Sequence, residues 1–557
     1  MAKSDLYLGL DVGGTHTDAV LIGEKGIISS YKAVTDHDNL LLSVRKAIEE
    51  ITRSTDPKKI KRINLSTTLS TNAIVEHKLE NVCVIISAGP GIDPKNFSIG
   101  DYFYIVEGSI DHRGTVIKGI DGSIISRIAD EAARKKIKIF SAITKFSTRN
   151  PDEENMIADG IRAGSDFTSV GHKLSGQLSF PRRIVTAYFN SAVWRLYNGF
   201  ADAIDAGLHE LGIDAEVNIL KADGGTMPFS LSRDIPVESI LSGPAASVMG
   251  IAALCDITRD AVMLDIGGTT TDIAIFADGV PLIEKDGISL QSNPTLVRAL
   301  KTRSIGIGGD SAIHIFGREV SVGPDRKGPS MAAGGKEPAL VDALNFRNII
   351  SFMDTGASGK GISDLAKKSG IPPDKLADAA FQFAADRIKS EVDGMLEEIN
   401  NKPVYTIHEM LEGKRIRPAV LYVMGGPAGA FRDKLAEAFG VEVVIPKNYD
   451  VANAIGAALA KTTIEIELFA DTGRGFLLIP NIGVRQVIPA AYTLREAEKD
   501  ALRHLKEHLN TLNVPVGDKD TEIIESSSFN MVEGFYSAGK DIRVKCQIKP
   551  GVIKRLS

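Results

Sequence analysis

Asp11-Val12-Gly13-Gly14-Thr15-His16-Thr17-Asp18 and Asp265-Ile266-Gly267-Gly268-Thr269-Thr270-Thr271-Asp272 agree at six of eight positions. Each octet follows a short apolar run and leads into another. Adjacent glycines let the backbone come close to a ligand. The N–H groups freed in such a turn form an anion-binding concavity. Thr15 and Thr269 add a hydroxyl donor at the same place. Asp11 and Asp265 stand at the mouth of a strand, where a carboxylate can hold Mg²⁺ through water while the metal bridges phosphate oxygens. A single copy would read as a hairpin whose glycines serve only the turn and whose Asp caps it. Two copies with matching flanks point to a duplicated strand–turn–strand unit facing one ligand that carries phosphate and a divalent metal.

A third glycine turn extends this chemistry. Val420 to Met424 reads as a strand leading through Gly425-Gly426-Pro427 to a helix, an arrangement suited to a nucleotide. The elements around it alternate. Val82 to Ser87 reads as a buried strand, Ile128 to Lys138 as a helix and Ile139 to Phe146 as a strand. Pro151 opens a further helix, and a long helical pattern runs from Ile184 to Leu211. Such alternation indicates an α/β protein. Two helices of small residues, Ser242 to Gly250 and Asn453 to Ala460, can pack closely against another element, as a hinge between lobes would. Ser304 to Gly335 is dense in Gly and Pro; loops of this kind border ligands or form surface excursions, and both readings stay open. Leu494 to Leu512 has the spacing of an amphipathic helix, and a strand pair closes the chain.

The 557 residues carry a net charge of −6, and no long basic tract is present. Nucleic acid is therefore not an expected partner. Cys83, Cys255 and Cys546 are far apart and fit neither a disulfide framework nor a zinc site. His112 and His172 lack ligand spacing. The N-terminus does not read as a signal peptide, and the longest apolar run is too short to span a bilayer. A cytoplasmic protein without a membrane partner is expected.

In combination these motifs resemble the actin/Hsp70/sugar-kinase superfamily, and within it the hydantoinase A/5-oxoprolinase family. The segments that carry the closer likeness are Asp11 to Asp18, Thr67-Thr68-Leu69-Ser70-Thr71-Asn72-Ala73, Ser242-Gly243-Pro244-Ala245 and Gly306 to Asp342. The resemblance implies an α/β fold of two ribonuclease-H-like lobes, as in actin-like ATPases, with ATP in the cleft between them. It implies an N-terminal lobe over residues 1–240, a second lobe over 241–480 and a small C-terminal α+β segment over 481–557. The activity implied is ATP-dependent hydrolysis of a cyclic amide such as a hydantoin, a lactam or 5-oxoproline. The carbonyl oxygen would be phosphorylated first, by a lone enzyme or by the ATP-binding subunit of a two-subunit hydrolase with a B-type partner. A homo- or hetero-oligomer is expected.

The roles implied follow the motifs. Asp11 and Asp265 orient Mg²⁺ and the attacked phosphate. Gly13, Gly14, Thr15, Gly267, Gly268 and Thr269 cradle the phosphates. Gly425, Gly426 and Pro427 lie against the adenosine. Thr67, Thr68, Thr71 and Asn72 offer hydroxyl and amide groups to the substrate; helix capping is the plainer use of such residues. The chain departs from the family pattern at Leu65-Ser66, where His-Gly is usual, at His16, where Phe is usual, and at Asp310, where Gly is usual. Two other functions use the same superfamily cleft: a small-molecule kinase and an ATP-driven reactivase or chaperone.

Overall fold

The apolar run before the first glycine turn forms β1 (Leu6–Val12), which pairs antiparallel with β2 (His16–Gly23). β3 (Gly26–Val34) follows, and β4 (Ile60–Thr67) lies parallel to β1 on its other side. α1 (Leu69–Val75) leaves directly from the end of β4. Glu216–Leu220 and Thr226–Pro228 complete a six-stranded sheet. After α2 (Ser242–Leu254) the pattern recurs. β5 (Ala261–Ile266) pairs antiparallel with β6 (Thr271–Ala277), and β7 (Val420–Met424) lies parallel to β5. β7 runs through Gly425 into α3 (Ala428–Phe439), and α4 (Ala452–Leu459) follows. The registers match: Asp11 stands opposite Asp18, and Asp265 opposite Asp272. The repeated octet thus marks a repeat of hairpin, parallel strand and helix. This computed structural model describes residues 5–13, 16–36, 40–53, 55–284, 286–401, 415–517, 519–533 and 536–556.

Both sheets are covered on both faces, which is why their strands read as unbroken apolar runs. Leu6, Leu8 and Leu10 pack on the helices Leu40–Thr52 and Phe180–Glu210, while Val20 and Ile22 pack on α4. Val262, Leu264 and Ile266 pack on Pro373–Asn400 and α3, while Ala261 and Met263 pack on α2. α2 and α4 therefore lie between the two sheets and against each other. Their small residues are a steric requirement. A Cβ on Gly250 would sit 2.2 Å from the Ala452 carbonyl oxygen, and one on Gly456 2.1 Å from that of Ala246. Gly9 of β1 admits α4 in the same way, with the Ala454 carbonyl 2.0 Å from its missing Cβ.

Two further sheets flank this centre. One is a parallel sheet in the order Phe167–Val170, Ile139–Thr144, Val82–Ser87, Tyr102–Ile105. Beside it His172 pairs with the buried Glu154 at 2.7 Å, a structural contact. The other closes the chain: Glu465–Asp471, Phe476–Ile479 and Val484–Val487 join the hairpin Thr521–Glu533/Tyr536–Ile548, and the helix Leu494–Thr511 packs on it. That sheet draws its first two strands from the stretch that the sequence groups with the second lobe. The three cysteines are free and buried. Burial pushes Cys83 and Cys546 up to about 12, so their thiols are unreactive. Among the described residues no helix is long and apolar enough to cross a membrane.

Candidate active site

The two glycine turns close in the same way. The Gly13 N–H donates to the His16 carbonyl at 3.0 Å, and the Gly267 N–H to the Thr270 carbonyl at 2.8 Å. Gly14 and Thr15, expected phosphate contacts, lie outside the described residues. Gly268 and Thr269 are described and form the crest of the second turn. The turns face one another: His16 lies within electrostatic reach of Asp310, which stands over the second turn, and of Lys32. Burial holds the His16 imidazole below its ordinary range, Lys32 pulls it further down, and Asp310 opposes.

Four carboxylates gather behind the turns, two from each hairpin. Burial, with Asp18 and Asp265 adding repulsion, pushes Asp11 up to about 7; the Ser66 hydroxyl and Asn453 amide oppose. Asp272 rises to about 7 from burial and the nearby Asp265. Asp18 and Asp265 are raised by burial, and Lys32 holds both back. Lys32 Nζ bonds Asp18 Oδ2 at 2.8 Å, and the Ser247 hydroxyl donates to Asp265 Oδ2 at 2.7 Å. Asp11 Oδ1 and Asp18 Oδ1 are buried, and no described group bonds them. Such an excess of buried negative charge is costly until a cation shares it. Among the described residues no three side chains form a metal cage of their own. The donors present fit a hard cation that completes its shell with phosphate oxygens and water, as Mg²⁺ does.

The third glycine turn belongs to this cluster. Gly425 has φ +91°, and a Cβ there would lie 2.7 Å from Asp265 Oδ1 and 2.2 Å from the Ile266 carbonyl oxygen. Gly426 follows in open space, and Pro427 borders Gly309. The part of the glycine-rich stretch around Gly308 to Asp310 is laid onto the second turn, while Pro324 to Lys327 are exposed. The Gly309 N–H donates to the Gly267 carbonyl at 3.0 Å, and that of Asp310 to the Gly268 carbonyl at 2.6 Å. Asp310 is tied in place by Arg326 at 2.9 Å. Of the region from Ser304 to Gly335, the segment at Gly308 to Asp310 lies beside the candidate site and the segment at Pro324 to Lys327 is a surface excursion.

β4 occupies in the first half the position that β7 holds in the second, so the segment from Thr67 corresponds to the Gly425 turn. Its hydroxyls are largely used internally. Thr67 Oγ1 accepts from the Leu69 N–H at 3.2 Å, and Thr71 Oγ1 accepts from the Leu241 N–H at 2.9 Å. The buried Ser242 hydroxyl donates to the Thr67 carbonyl at 2.9 Å, fastening α2 to the end of β4. Thr68 is half-buried and Asn72 exposed, with the Asn72 amide donating to Thr68 Oγ1 at 3.3 Å.

Residues 7–164 match the hydantoinase/oxoprolinase N-terminal region, and residues 183–466 match the hydantoinase/oxoprolinase family proper. The chain belongs to the hydantoinase/oxoprolinase family. Relatives within reach of that family include caprolactamase subunit alpha of Pseudomonas jessenii, 26% identical over 504 residues, covering 83% of this chain and 71% of that one. The 5-oxoprolinase of Saccharomyces cerevisiae is 24% identical over 545 residues, covering 83% of this chain. The present chain spans only 41% of that longer protein. The fold agrees with two solved structures. Nucleotide-free acetone carboxylase has a TM-score of 0.70 at 16% identity, covering 100% of this chain and 89% of that one. The ATP-dependent caprolactamase of Pseudomonas jessenii has a TM-score of 0.69 at 18% identity, covering 97% and 87%.

The hydantoinase/oxoprolinase motifs did not announce every residue at this site. Asn453 on α4 acts on Asp11 and on Asp265, so one amide between the sheets serves both halves. Its sequence signal is the lone amide in a helix otherwise built of Ala, Gly, Ile and Leu. Lys32 gave no such signal, because its pairing with Asp18 is a register effect across β2 and β3.

Proposed function

We propose that this chain hydrolyses a cyclic amide (a hydantoin, 5-oxoproline or a related lactam) at the expense of ATP. We place ATP and Mg²⁺ between two ribonuclease-H-like lobes of the actin-like kind, the first over residues 1–240 and the second from 241 to the start of the C-terminal sheet at Glu465, so that the closing segment begins earlier than residue 481. One observation carries the reading: two hairpins of the same register bring Asp11 and Asp265 to a shared centre, with Asn453 between them and Asp11 Oδ1 unsatisfied. Membership of the hydantoinase/oxoprolinase family supports the substrate class.

The chemistry follows from the weakness of the electrophile. An unstrained amide resists water because its nitrogen feeds electrons into the carbonyl. Attack of the carbonyl oxygen on the γ-phosphorus of ATP expels ADP and turns that oxygen into part of a leaving group. Water then adds to the same carbon, the C–N bond breaks and the nitrogen leaves as an amine, which leaves an acyl phosphate. A second water attacks its acyl carbon, the C–O bond breaks, and phosphate leaves with the original carbonyl oxygen. The sum is ATP, cyclic amide and two waters to ADP, phosphate and an amino acid. Bound Mg²⁺ would neutralise charge on the phosphoryl group in flight. The protein's share is positioning and electrostatics. Asp11 and Asp265 would hold the metal. Gly13 and Gly267, whose N–H groups close the turns, shape the cradle, and Gly14, Thr15, Gly268 and Thr269 donate N–H and hydroxyl groups to phosphate. Gly425, Gly426 and Pro427 bear on the adenosine. Thr68 and Asn72 meet the substrate, and Thr67 and Thr71 fix the segment that presents them. A B-type second subunit is the expected partner, since the caprolactamase relative is itself named as an alpha subunit.

Phosphate release from Mg-ATP, measured with hydantoins, lactams and 5-oxoproline and with or without a B-type subunit, tests this. One cyclic amide should raise the rate, and Asp11→Asn should lower it about 100-fold or more with the circular dichroism unchanged. A rate indifferent to every cyclic amide, or wild-type turnover in Asp11→Asn, would refute the proposal.

A further inference from the structure

The four carboxylates behind the glycine turns form two register pairs, and only one pair is left open. Asp11 stands directly opposite Asp18 in the first hairpin, as Asp265 does opposite Asp272 in the second. In the second pair Asp265 Oδ2 accepts from the Ser247 hydroxyl, and the Ser304 hydroxyl acts on Asp272. Neither contributes an oxygen that is both buried and unbonded. In the first pair each partner does. Asp11 Oδ1 and Asp18 Oδ1 are buried without a donor, on residues that are each only 6% exposed. Asn453 Oδ1 is a third buried oxygen with no donor, its N–H groups being turned to Asp11 and Asp265. No orphaned nitrogen belongs to this centre among the described residues. Lys32 is the one described cation bonded to the cluster. Its Nζ donates to Asp18 Oδ2 at 2.8 Å and to the Asp450 carbonyl at 3.1 Å, which leaves Asp18 Oδ1 open.

Orphans that are all acceptors call for a cation, and hard oxygen donors select Mg²⁺ or Mn²⁺. Directly opposed residues of an antiparallel pair share a face, with Cβ atoms about 4.5–5.5 Å apart. Two carboxylates at that separation can share one ion that binds oxygen at about 2.0–2.1 Å. Lys32 does not fill this need, because its ammonium is spent on the other oxygen of Asp18. Burial alone does not make such a place. Glu153 has both oxygens buried and unbonded, but no second carboxylate and no cation act on it, so it offers no pair for an ion to share. We infer that Asp18 is a direct ligand of the divalent cation, sharing it with Asp11 on one face of the first hairpin. Lys32 is then a positioning residue, which keeps Asp18 ionised and holds its Oδ1 toward Asp11. Asp265 faces the same centre from the other half with its Oδ2 already bonded to Ser247. The inference rests on the divalent cation proposed above, not on ATP or on the cyclic amide. Since both ligand oxygens are open in the free protein, the cation can enter before nucleotide.

Mn²⁺ binding to the full chain, without nucleotide or cyclic amide, tests the inference by electron paramagnetic resonance. The wild type should take up Mn²⁺ at or below about 1 mM, and Asp18→Asn should weaken that binding about tenfold or more. Asp272→Asn, which removes the same charge from the other hairpin, should weaken it less than about threefold. A direct ligand also sets the preference among metals. Asp18→Cys should shift that preference from Mn²⁺ toward Cd²⁺ by about tenfold or more and show a thiolate-to-cadmium absorption band, because a thiolate is a soft donor. The three native cysteines are buried, so they add little background. Should neither Asp18 variant fold, the half-exposed Lys32→Met serves instead. It should tighten Mn²⁺ binding about threefold, since Asp18 is then shared with no second cation. Equal weakening by Asp18→Asn and Asp272→Asn, a wild-type metal preference in Asp18→Cys, or unchanged or weaker binding in Lys32→Met would overturn the role of Asp18. A wild-type chain that takes up no Mn²⁺ at about 10 mM would overturn it as well, even if cyclic amides stimulate phosphate release in the turnover assay above.

Discussion

Asp11 and Asp265 are equivalent by register but not by surroundings. Asp265 accepts from the Ser247 hydroxyl, whereas Asp11 Oδ1 is buried without a donor. The Ser66 hydroxyl and Asn453 amide act on Asp11 as Ser247 and Asn453 act on Asp265, so the difference lies in the one unsatisfied oxygen, Asp11 Oδ1. Asn453 opposes the upward shift of both groups, so its loss should be felt at both. Asn453→Ala should move the acid limb of the pH–rate profile upward by as much as about one pH unit. An acid limb in the wild-type position would show that the amide only packs. His16, where the family pattern has Phe, is held toward its neutral form by burial and by Lys32, with Asp310 opposing.

At the scale of elements, the two helices between the sheets set how closely the halves approach. Gly456→Ala would press a methyl into the Ala246 carbonyl at 2.1 Å, where only backbone could yield. It should cost roughly 1–3 kcal/mol in thermal unfolding. An unchanged melting temperature would mean that the helices slide freely. Elements with strong local signals were legible in the sequence: β7 spans Val420–Met424, and the small-residue helices appear as α2 and α4. The stretch Asn64 to Glu76 was less so, because polar Asn64, Ser66 and Thr67 hide a strand. Their polarity is explained by tertiary partners, with the Asn64 amide donating to the Ala457 carbonyl at 2.8 Å. The same holds for the loop at Gly306 to Ser311, whose position over the second turn depends on hydrogen bonds to residues far away in sequence. Local pattern names turns and helices; it does not report which distant carbonyl a loop will find.

At the scale of the molecule, the centre is stable as a folded unit yet electrostatically incomplete. Asp11 and Asp272 each titrate near 7, against about 3.9 in an unfolded chain. Between these values the folded state keeps protons that the unfolded state has released. Stability of the free protein should therefore be greatest below about pH 4 from these groups and decline as pH rises through 7. The buried Glu153, also near 7, adds to the same trend. Mg-ATP should reduce the decline by stabilising the ionised carboxylates. Melting curves from pH 5 to pH 8, with and without Mg-ATP, measure this; a flat profile in the free protein would show that the carboxylates are not desolvated as described.

The central claim is that ATP is spent on the carbonyl oxygen of a cyclic amide. It is tested most directly by turning over a cyclic amide labelled with ¹⁸O at that carbonyl and analysing the released phosphate by mass spectrometry. Activation by phosphorylation predicts one ¹⁸O in each phosphate formed during coupled turnover. Unlabelled phosphate, with the label retained wholly in the amino acid and no ¹⁸O from labelled water entering the new carboxylate beyond one atom in unlabelled-amide controls, would contradict phosphorylation followed by cleavage at the acyl carbon.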